Sequence, residues 1–455
     1  MNRPKSLVQI DRRQFVAGSV AAIAAPLVIS SRAFGANDRL NIAGVGVGGK
    51  GRGDIASTSV GQNVVAICDV DARTLDSSAK KYPNAKTYND WRRLLEQKDI
   101  DAVTVSTPDH MHAPIAVSAM QLGKHVYVQK PLAHTVYEAR QMRLLAQRHN
   151  VITQMGNQGH SGSGYRTLVE LIRSGVIGKV NAAHAWSNRP IWPQGIPRPS
   201  GSDPVPEYLS WNNWLGVAPT RPYVGPGKDS KRGRGAYHTF NWRGWLDFGV
   251  GALGDMGCHI IDPVVWSCDL SSPTRVWSDG PAPNGETFPK WGVIHYQFPG
   301  TKYTSGDAFR MTWYDGGKKP DNDLAQLPAG ELLPDNGSLF IGEKGVLLCP
   351  HGGKPRLLPA DKFVEKEVEV VASDDHYLQW TKACKGEGRA TSHFDYSGPL
   401  TETVLLGTIA IRFPEQKLDW DADAMSVTNL ADANRYVTKN YRTGWEVKAL
   451  ERPSV

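Results

Sequence analysis

The sequence has few cysteines and no CxxC pair. Cys68, Cys258, Cys268, Cys349 and Cys384 are scattered through 455 residues, so no disulfide framework defines the fold. It also lacks an apolar run long enough to cross a bilayer, since the candidate, Phe15 to Ile29, is too short. Strong charge is missing as well. Of the formal net charge of +7, residues 1–35 contribute +4 through five Lys/Arg against one acid, and the remainder carries only +3. That is no nucleic-acid footprint. No internal repeat is found, and no metal-ligand cluster is expected.

What is present is length enough for two or three domains with ample cores. Tryptophan is frequent, at 14, and many fall between Trp186 and Trp277. Such a group serves either as ordinary core or as a stacking platform for sugar rings.

At the N-terminus, Arg3, Lys5, Arg12 and Arg13 precede the apolar stretch, and the small residues of SRAFGA follow it. Cleavage is expected near Gly35 or Ala36. The run Arg12-Arg13-Gln14-Phe15 resembles the signal read by the twin-arginine (Tat) translocase, which carries folded proteins. Residues 1–35 are therefore read as a Tat signal peptide and the mature chain as periplasmic. The competing reading is a chance arginine pair in an amphipathic or disordered segment. With no cysteine near the cleavage region, a lipoprotein is not expected.

Residues 36–155 alternate strand and helix. LNIAGV (40–45), NVVAICD (63–69), AVTVS (102–106), HVYVQ (125–129) and VITQM (151–155) read as strands. Helical spacing falls between them, in NDWRRLLEQ (89–97), HAPIAVSAMQL (112–122) and TVYEARQMRLLAQRH. This pattern predicts an α/β, doubly wound parallel sheet of the Rossmann type. From 156 to 455 the texture changes. A helix, GYRTLVELIRSG, leads into VNAAHAWSN and a Pro-, Gly- and Trp-rich segment, then alternating runs such as VIHYQF, GSLFIG and GVLLC. These predict a second, α+β domain with an antiparallel or mixed sheet, whose loops supply a substrate pocket.

GVGVGGKG follows the first strand and can be framed as Gly44-Gly46-Gly49 or Gly46-Gly48-Gly51. The second frame lets the strand run its full length and is preferred. Its glycines permit a tight turn around Val47, close approach to a pyrophosphate, and helix packing. Asp69, 18 residues after Gly51, ends the second strand. An acid there accepts hydrogen bonds from ribose hydroxyls and repels a 2′-phosphate, which favours NAD over NADP. Arg73 nearby keeps NADP open. A glycine-rich turn with a solvated Asp is the bland alternative.

Two further stretches carry chemistry. In VYVQKPL, Lys130 leaves a parallel strand at the sheet edge where such folds bind ligands, and Pro131 biases it toward an extended conformation. In GALGDMGCHIID, Asp255 and His259 lie four apart, on one face of a helix. Hydride transfer from an alcohol needs a base for the hydroxyl proton and a cation for the developing alkoxide. His259 suits the first, Lys130 the second, and Asp255 can orient the imidazole or a substrate hydroxyl. Without further context, the pair reads as a helix-surface feature and the lysine as a solvated one.

GVGVGGKG, STPDHMHAPIA, GKHVYVQKPLA and GALGDMGCHIID, in that order, closely resemble the glucose–fructose oxidoreductase/inositol dehydrogenase (Gfo/Idh/MocA) family, over essentially the whole chain after the leader. The resemblance implies a Rossmann domain, a C-terminal domain on a large open sheet, a homodimer or homotetramer, and a tightly held NAD(H) or NADP(H). It implies a catalytic trio at Lys130, Asp255 and His259. It also implies cofactor contacts at Gly46, Val47, Gly48, Gly49, Gly51, Asp69, Thr107, Pro108, His110, Gln129, Lys130, Asn157 and Gln158. One departure matters, because members commonly carry Glu-Lys-Pro where this chain has Gln129-Lys130-Pro131.

The expected activity is NAD(P)-dependent oxidation of a hydroxyl on a sugar, glycoside or cyclitol, with the cofactor reset in place because the periplasm offers no nucleotide pool. An alternative is glycoside cleavage by oxidation, elimination, hydration and reduction. A sugar-binding protein that has lost its chemistry ranks below both. Polar and aromatic residues interleaved around the expected cleft are candidates for substrate contact: His160, Tyr165, Trp186, Asn188, Arg189, Trp192, His238, Asn241 and Arg243.

Overall fold

The computed structural model describes residues 39–227, 233–366 and 368–452. The twin-arginine segment lies outside them. The N-terminal part runs β1 (Asn41–Val45), α1 (Gly49–Thr58), β2 (Asn63–Cys68), α2 (Ala72–Lys81), β3 (Lys86–Tyr88) and α3 (Trp91–Leu95). It continues through β4 (Ala102–Val105), α4 (His112–Gln121), β5 (His125–Val128), α5 (Val136–Arg148) and β6 (Thr153–Met155). The six strands pair in parallel, in the order β3-β2-β1-β4-β5-β6. The order in which successive strands are added reverses between β1 and β4, which opens the crevice where such sheets bind ligands. Both faces are covered by helices, so β4 and most of β1 and β5 are buried, as their near-continuous apolar runs require.

Next come α6 (Ser163–Arg173), β7 (Val180–Trp186), α7 (Trp211–Leu215), α8 (Gly251–Ile260) and α9 (Asp262–Cys268). Strands β8 (Arg275–Asp279), β9 (Val293–Pro299), β10 (Ala308–Tyr314), β11 (Gly337–Gly342), β12 (Val346–Pro350) and β13 (Arg356–Leu358) follow. The chain closes with α10 (His376–Cys384), α11 (Phe394–Ala410), β14 (Leu418–Asp421) and β15 (Ser426–Val427). The second sheet has nine strands, ordered β13-β12-β11-β7-β10-β9-β8-β14-β15. It is mixed, since β7 and β10 run parallel while the other adjacent pairs are antiparallel.

Helix α11 joins the two sheets. Nearly all its side chains are buried, and Thr401 reaches Met155 Sδ on β6 at 3.5 Å. On its other side a Cβ at Gly257 of α8 would stand 3.0 Å from Val404, and one at Gly407 would strike the Tyr296 hydroxyl. Glycine at these two contacts lets α8 lie close against α11, which fixes where Asp255 and His259 point. All five cysteines are buried and unpaired, as their scatter predicts.

The tryptophan-rich segment settles between its two readings. Trp211, Trp214, Tyr223, Tyr237, Trp242, Trp245 and Phe248 pack into one buried cluster, with Trp211 and Trp214 stacked at 4.6 Å. It is a core, and the sugar-platform reading does not hold for it.

Candidate active site

The glycine loop follows the Gly46-Gly48-Gly51 frame. Gly46 has φ +77°, and a Cβ there would lie 2.6 Å from the Ser106 carbonyl oxygen. A Cβ on Gly51 would sit 1.8 Å from the Gly46 oxygen, so only glycine lets α1 rest on the turn. Gly48 precedes the helix with no side-chain cap. A Cβ on Gly49 would meet nothing within 4 Å, so open space lies at this helix start, where unpaired N–H groups suit a phosphate. Asp69 closes the other side. Its carboxylate accepts from Val47 N at 3.0 Å and from Asp71 N at 3.0 Å, and burial pushes its pKa up to about 6. Arg73, the residue that kept NADP open, is spent elsewhere. It grips Asp71 through Nε at 3.0 Å and Nη2 at 2.7 Å, and lies 3.5 Å above the Tyr208 ring. Thr107 adds a buried hydroxyl with no partner, next to Pro108 at the β4 edge. These groups fit NAD.

Gln129 is buried, and its carboxamide donates to Asp54 Oδ2 at 2.9 Å. Asp54, on α1, also accepts from Ser106 Oγ at 2.8 Å and Tyr377 OH at 3.2 Å, and pairs with Lys50. A carboxylate therefore stands one hydrogen bond from Gln129, on the glycine-loop helix.

Lys130 and Asp255, 125 residues apart, meet in the structure. Lys130 Nζ donates to Asp255 Oδ1 at 3.0 Å and to the Asp255 carbonyl oxygen at 2.7 Å. Asp255 Oδ1 also accepts from Arg243 Nε at 3.2 Å, and Oδ2 lies 3.7 Å from Arg189 Nε. Although burial opposes ionisation, Lys130 and Arg243 hold this carboxyl well below its ordinary range. It therefore orients cations, and makes no hydrogen bond to the imidazole. His259 lies one turn on. Burial, with Lys130 and the neighbouring His351, depresses its pKa well below the ordinary value, so the ring is neutral at pH 7. Its Nδ1 is buried and has no partner.

Sequence reasoning missed three groups here. His351, in the turn after β12, has its ring 5.5 Å from that of His259 and accepts or donates at 2.8 Å with Tyr165 OH. This is what brings Tyr165 to the site. Asp109 is buried, accepts from Val250 N at 3.2 Å, and is pushed up to about 7 by burial. His112 faces the Pro131 and Thr107 carbonyl oxygens, each at 2.8 Å, and ties the Lys130 loop to the β4 loop. Lone residues in turns carry no periodicity, so only the His and Asp of STPDHMH offered a signal.

Several predicted contacts are not brought to the cleft. Trp186 is wholly buried beneath β11 and donates its indole N–H to the Pro334 oxygen at 2.8 Å; it is core. His110 is equally buried, its ring nitrogens facing the Phe248 oxygen at 3.3 Å and the Trp214 oxygen at 3.2 Å, and burial drops its pKa to about 3. It braces a loop rather than a cofactor. Asn157 and His160 are committed to buried Asp262, at 3.2 and 3.0 Å, with Ser392 bonded to the Asn157 oxygen. His160 also stacks on Trp266 at 4.0 Å. Gln158 donates to Tyr127 OH at 2.9 Å. Trp192 bonds to Gln194 at 2.8 Å and Asn241 to the Gly235 oxygen at 3.0 Å, while His238 meets Trp214 edge-on. Apart from His238, these displaced side chains have polar atoms bonded to protein partners, which satisfies those atoms without a ligand. Asn188, by contrast, stays at the site, its side-chain oxygen accepting from the Arg189 guanidinium that reaches Asp255.

The chain is similar to known proteins. Residues 39–157 match the model of the oxidoreductase family with an NAD-binding Rossmann fold, and residues 175–319 that of the same family's C-terminal alpha/beta domain. Inositol 2-dehydrogenase of Salmonella paratyphi B is 32% identical over 149 residues, covering 32% of this chain and 44% of the relative. The match thus spans less than half the length of that relative. Alpha-N-acetylgalactosaminidase of Shewanella oneidensis is 27% identical over 338 residues, 64% of this chain and 68% of the relative. In fold, the chain is similar to the WlbA dehydrogenase from Bordetella pertussis, solved with NADH and UDP-GlcNAcA. The TM-score is 0.59 at 16% identity, over 85% of this chain and 99% of that one. With both domain models matched in order over more than half its length, and the glycine loop, Lys130 and Asp255 placed as described, the chain belongs to the Gfo/Idh/MocA oxidoreductase family.

Proposed function

We propose that this protein is an NAD-dependent oxidoreductase acting on a hydroxyl of a sugar, glycoside or cyclitol. The observation that carries the reading is the Lys130 ammonium, fixed on Asp255 beside a neutral His259. NAD, when bound, supplies the acceptor for a hydride. The chain's own residues do the rest. Lys130 uses two of its three N–H bonds on Asp255, which aims the third at a substrate oxygen and stabilises alkoxide character there. His259, uncharged, takes the hydroxyl proton. Asp255 positions Lys130, and Gln129 with Asp54 holds the strand end from which Lys130 projects. Inositol dehydrogenase among the relatives supports the reaction type.

A second reading is glycoside cleavage, in which the same oxidation is followed by elimination of the aglycone, addition of water and reduction. The observation favouring it is the alpha-N-acetylgalactosaminidase, which aligns over more of this chain than the inositol dehydrogenase does. The presence of Lys130, Asp255 and His259 together argues against a binding protein without chemistry.

We further propose export by the Tat translocase to the periplasm, with the cofactor loaded before export, and a homodimer or homotetramer. Arg12 and Arg13 support the first. Titrating purified protein of known cofactor content with sugars, while following reduced-nicotinamide absorbance, tests the activity. Reduction followed by recovery indicates a closed redox cycle, and release of a free aglycone indicates the glycosidase. No change with any sugar rejects both.

A further inference from the structure

We infer that the substrate is an acidic sugar, a uronate or aldonate, whose carboxylate docks between Arg189 and Arg243. The inference rests on the oxidoreductase reading for the identity of the site, and adds the charge of its ligand. Three cations, Lys130, Arg189 and Arg243, converge on the one ionised carboxylate of Asp255, at 3.0, 3.7 and 3.2 Å. One of the three suffices to neutralise it. His259 and His351 add no charge but are themselves held neutral near these cations. A second carboxyl within electrostatic reach, Asp109, is 5% exposed, already accepts from Val250 N, and is only part-ionised at neutral pH. The cleft therefore holds at least one positive charge beyond what its own acids cancel.

An uncompensated charge in a partly buried site is costly, and a ligand anion relieves that cost. The two arginines remain accessible: their side chains are 26% and 22% exposed, against 3% for Arg221, an arginine locked between Asp247 and Glu286. Arg243 is held flat, its guanidinium 4.3 Å from the Trp242 ring and 4.5 Å from that of Phe240. Aromatic faces occupy the sides of the group, Nε donates to Asp255 and Nη1 to the Phe240 carbonyl oxygen at 3.2 Å, so what it offers a ligand is the remaining in-plane N–H edge at Nη2. That edge matches a planar carboxylate, whereas a lysine would present only a point charge. Arg189 is similarly steered by Asn188 beside it. A neutral sugar has hydroxyls for Lys130 and His259 but nothing that calls for two further guanidinium groups.

The test uses the holoenzyme and a panel of hexuronates and aldonates, each paired with its neutral sugar or alditol and with a sulfated counterpart. Calorimetry gives binding, and bound-nicotinamide absorbance gives turnover. The expected result is that at least one carboxylate sugar binds more tightly than its neutral partner, and less so as salt is raised. Arg189→Ala and the milder Arg243→Gln should each reduce that preference by roughly 10-fold to 100-fold, the usual worth of a hydrogen bond to a charged group. Three results overturn the inference. One is a neutral sugar bound or oxidised as well as its uronate. Another is a carboxylate preference that survives both substitutions. The last is sulfated sugars binding in an arginine-dependent way while no carboxylate does. Arg189-dependent binding of a uronate with no nicotinamide reduction would sink the oxidoreductase reading and leave this one standing. Oxidation of neutral sugars with no uronate binding would do the reverse.

Discussion

Gln129 Nε2 and Asp54 Oδ2 stand 2.9 Å apart, joining the strand end that carries Lys130 to the helix that carries the glycine loop. An amide at 129 is required by this partner. A carboxylate there would face a second carboxylate at hydrogen-bond distance, with one proton to share between them.

Gln129→Glu should therefore destabilise the protein by about 1–3 kcal/mol at neutral pH, where two carboxyl groups would stand at hydrogen-bond distance. The loss should shrink as pH falls and one of the pair takes up a proton. Denaturant melts across pH check this, and Gln129→Glu with Asp54→Asn should recover most of the stability. A single variant as stable as the wild type at pH 8 contradicts the pairing.

Asp69 gives a cofactor prediction. Asp69→Ala should weaken NAD retention and relax discrimination against NADP, because an acceptor for the ribose hydroxyls and a repelling charge are lost together. The wild type should show the same relaxation below a pH of about 6, where the carboxyl becomes neutral, since its pKa lies near that value. Competition binding of the two dinucleotides at several pH values measures both effects.

The hydride step depends on Lys130 and His259. His259→Ala should slow reduction of bound nicotinamide by roughly 10²–10⁴-fold, with cofactor retained. Lys130→Ala should cost a similar amount. The double variant should lose far less than the product of the two, as groups acting on one transition state do. Because burial and Lys130 keep His259 uncharged, it should impose no acid limb on the rate near pH 6–7. Single-turnover kinetics with a sugar that the wild type oxidises settles this, and a His259→Ala protein at wild-type rate moves the base elsewhere.

Asp109 faces Lys130, Arg243, Asp255, Lys439 and Cys258, and gains its charge as pH rises through about 7. Each ionised Asp109 cancels one positive charge in the cleft. Binding of a carboxylate sugar should weaken across that range, and Asp109→Asn should flatten the dependence. Calorimetric titrations at pH 6 and 8 make the comparison.

Export is read out separately. Replacing Arg12 and Arg13 by lysine should leave the protein in the cytoplasm with cofactor bound, because the Tat route reads the pair. Periplasmic, cofactor-loaded protein from this variant shows the signal was misread.

The sequence by itself determined what repeats or lies close along the chain. The β1 run, the glycine spacing and Asp69 are within 30 residues of one another, and a parallel sheet admits one arrangement of them. The helix over GALGDMGCHIID likewise puts Asp255 and His259 on one face from spacing alone. Elements without a clear period were not visible: α2 is mostly polar, β3 has three residues, and α11 hides its helix behind Ser397-Gly398-Pro399. Only the tertiary structure decided which polar groups face the cleft. Trp186 and Arg189 are three residues apart, yet one is sealed under β11 and the other reaches Asp255, because a strand ends between them. The charge of the site had the same origin. Arg189, Arg243, Asp255 and Lys130 come from separate elements, and their electrostatics exists only once α8, packed through Gly257 against α11, brings the Asp255 carboxylate to the three cations.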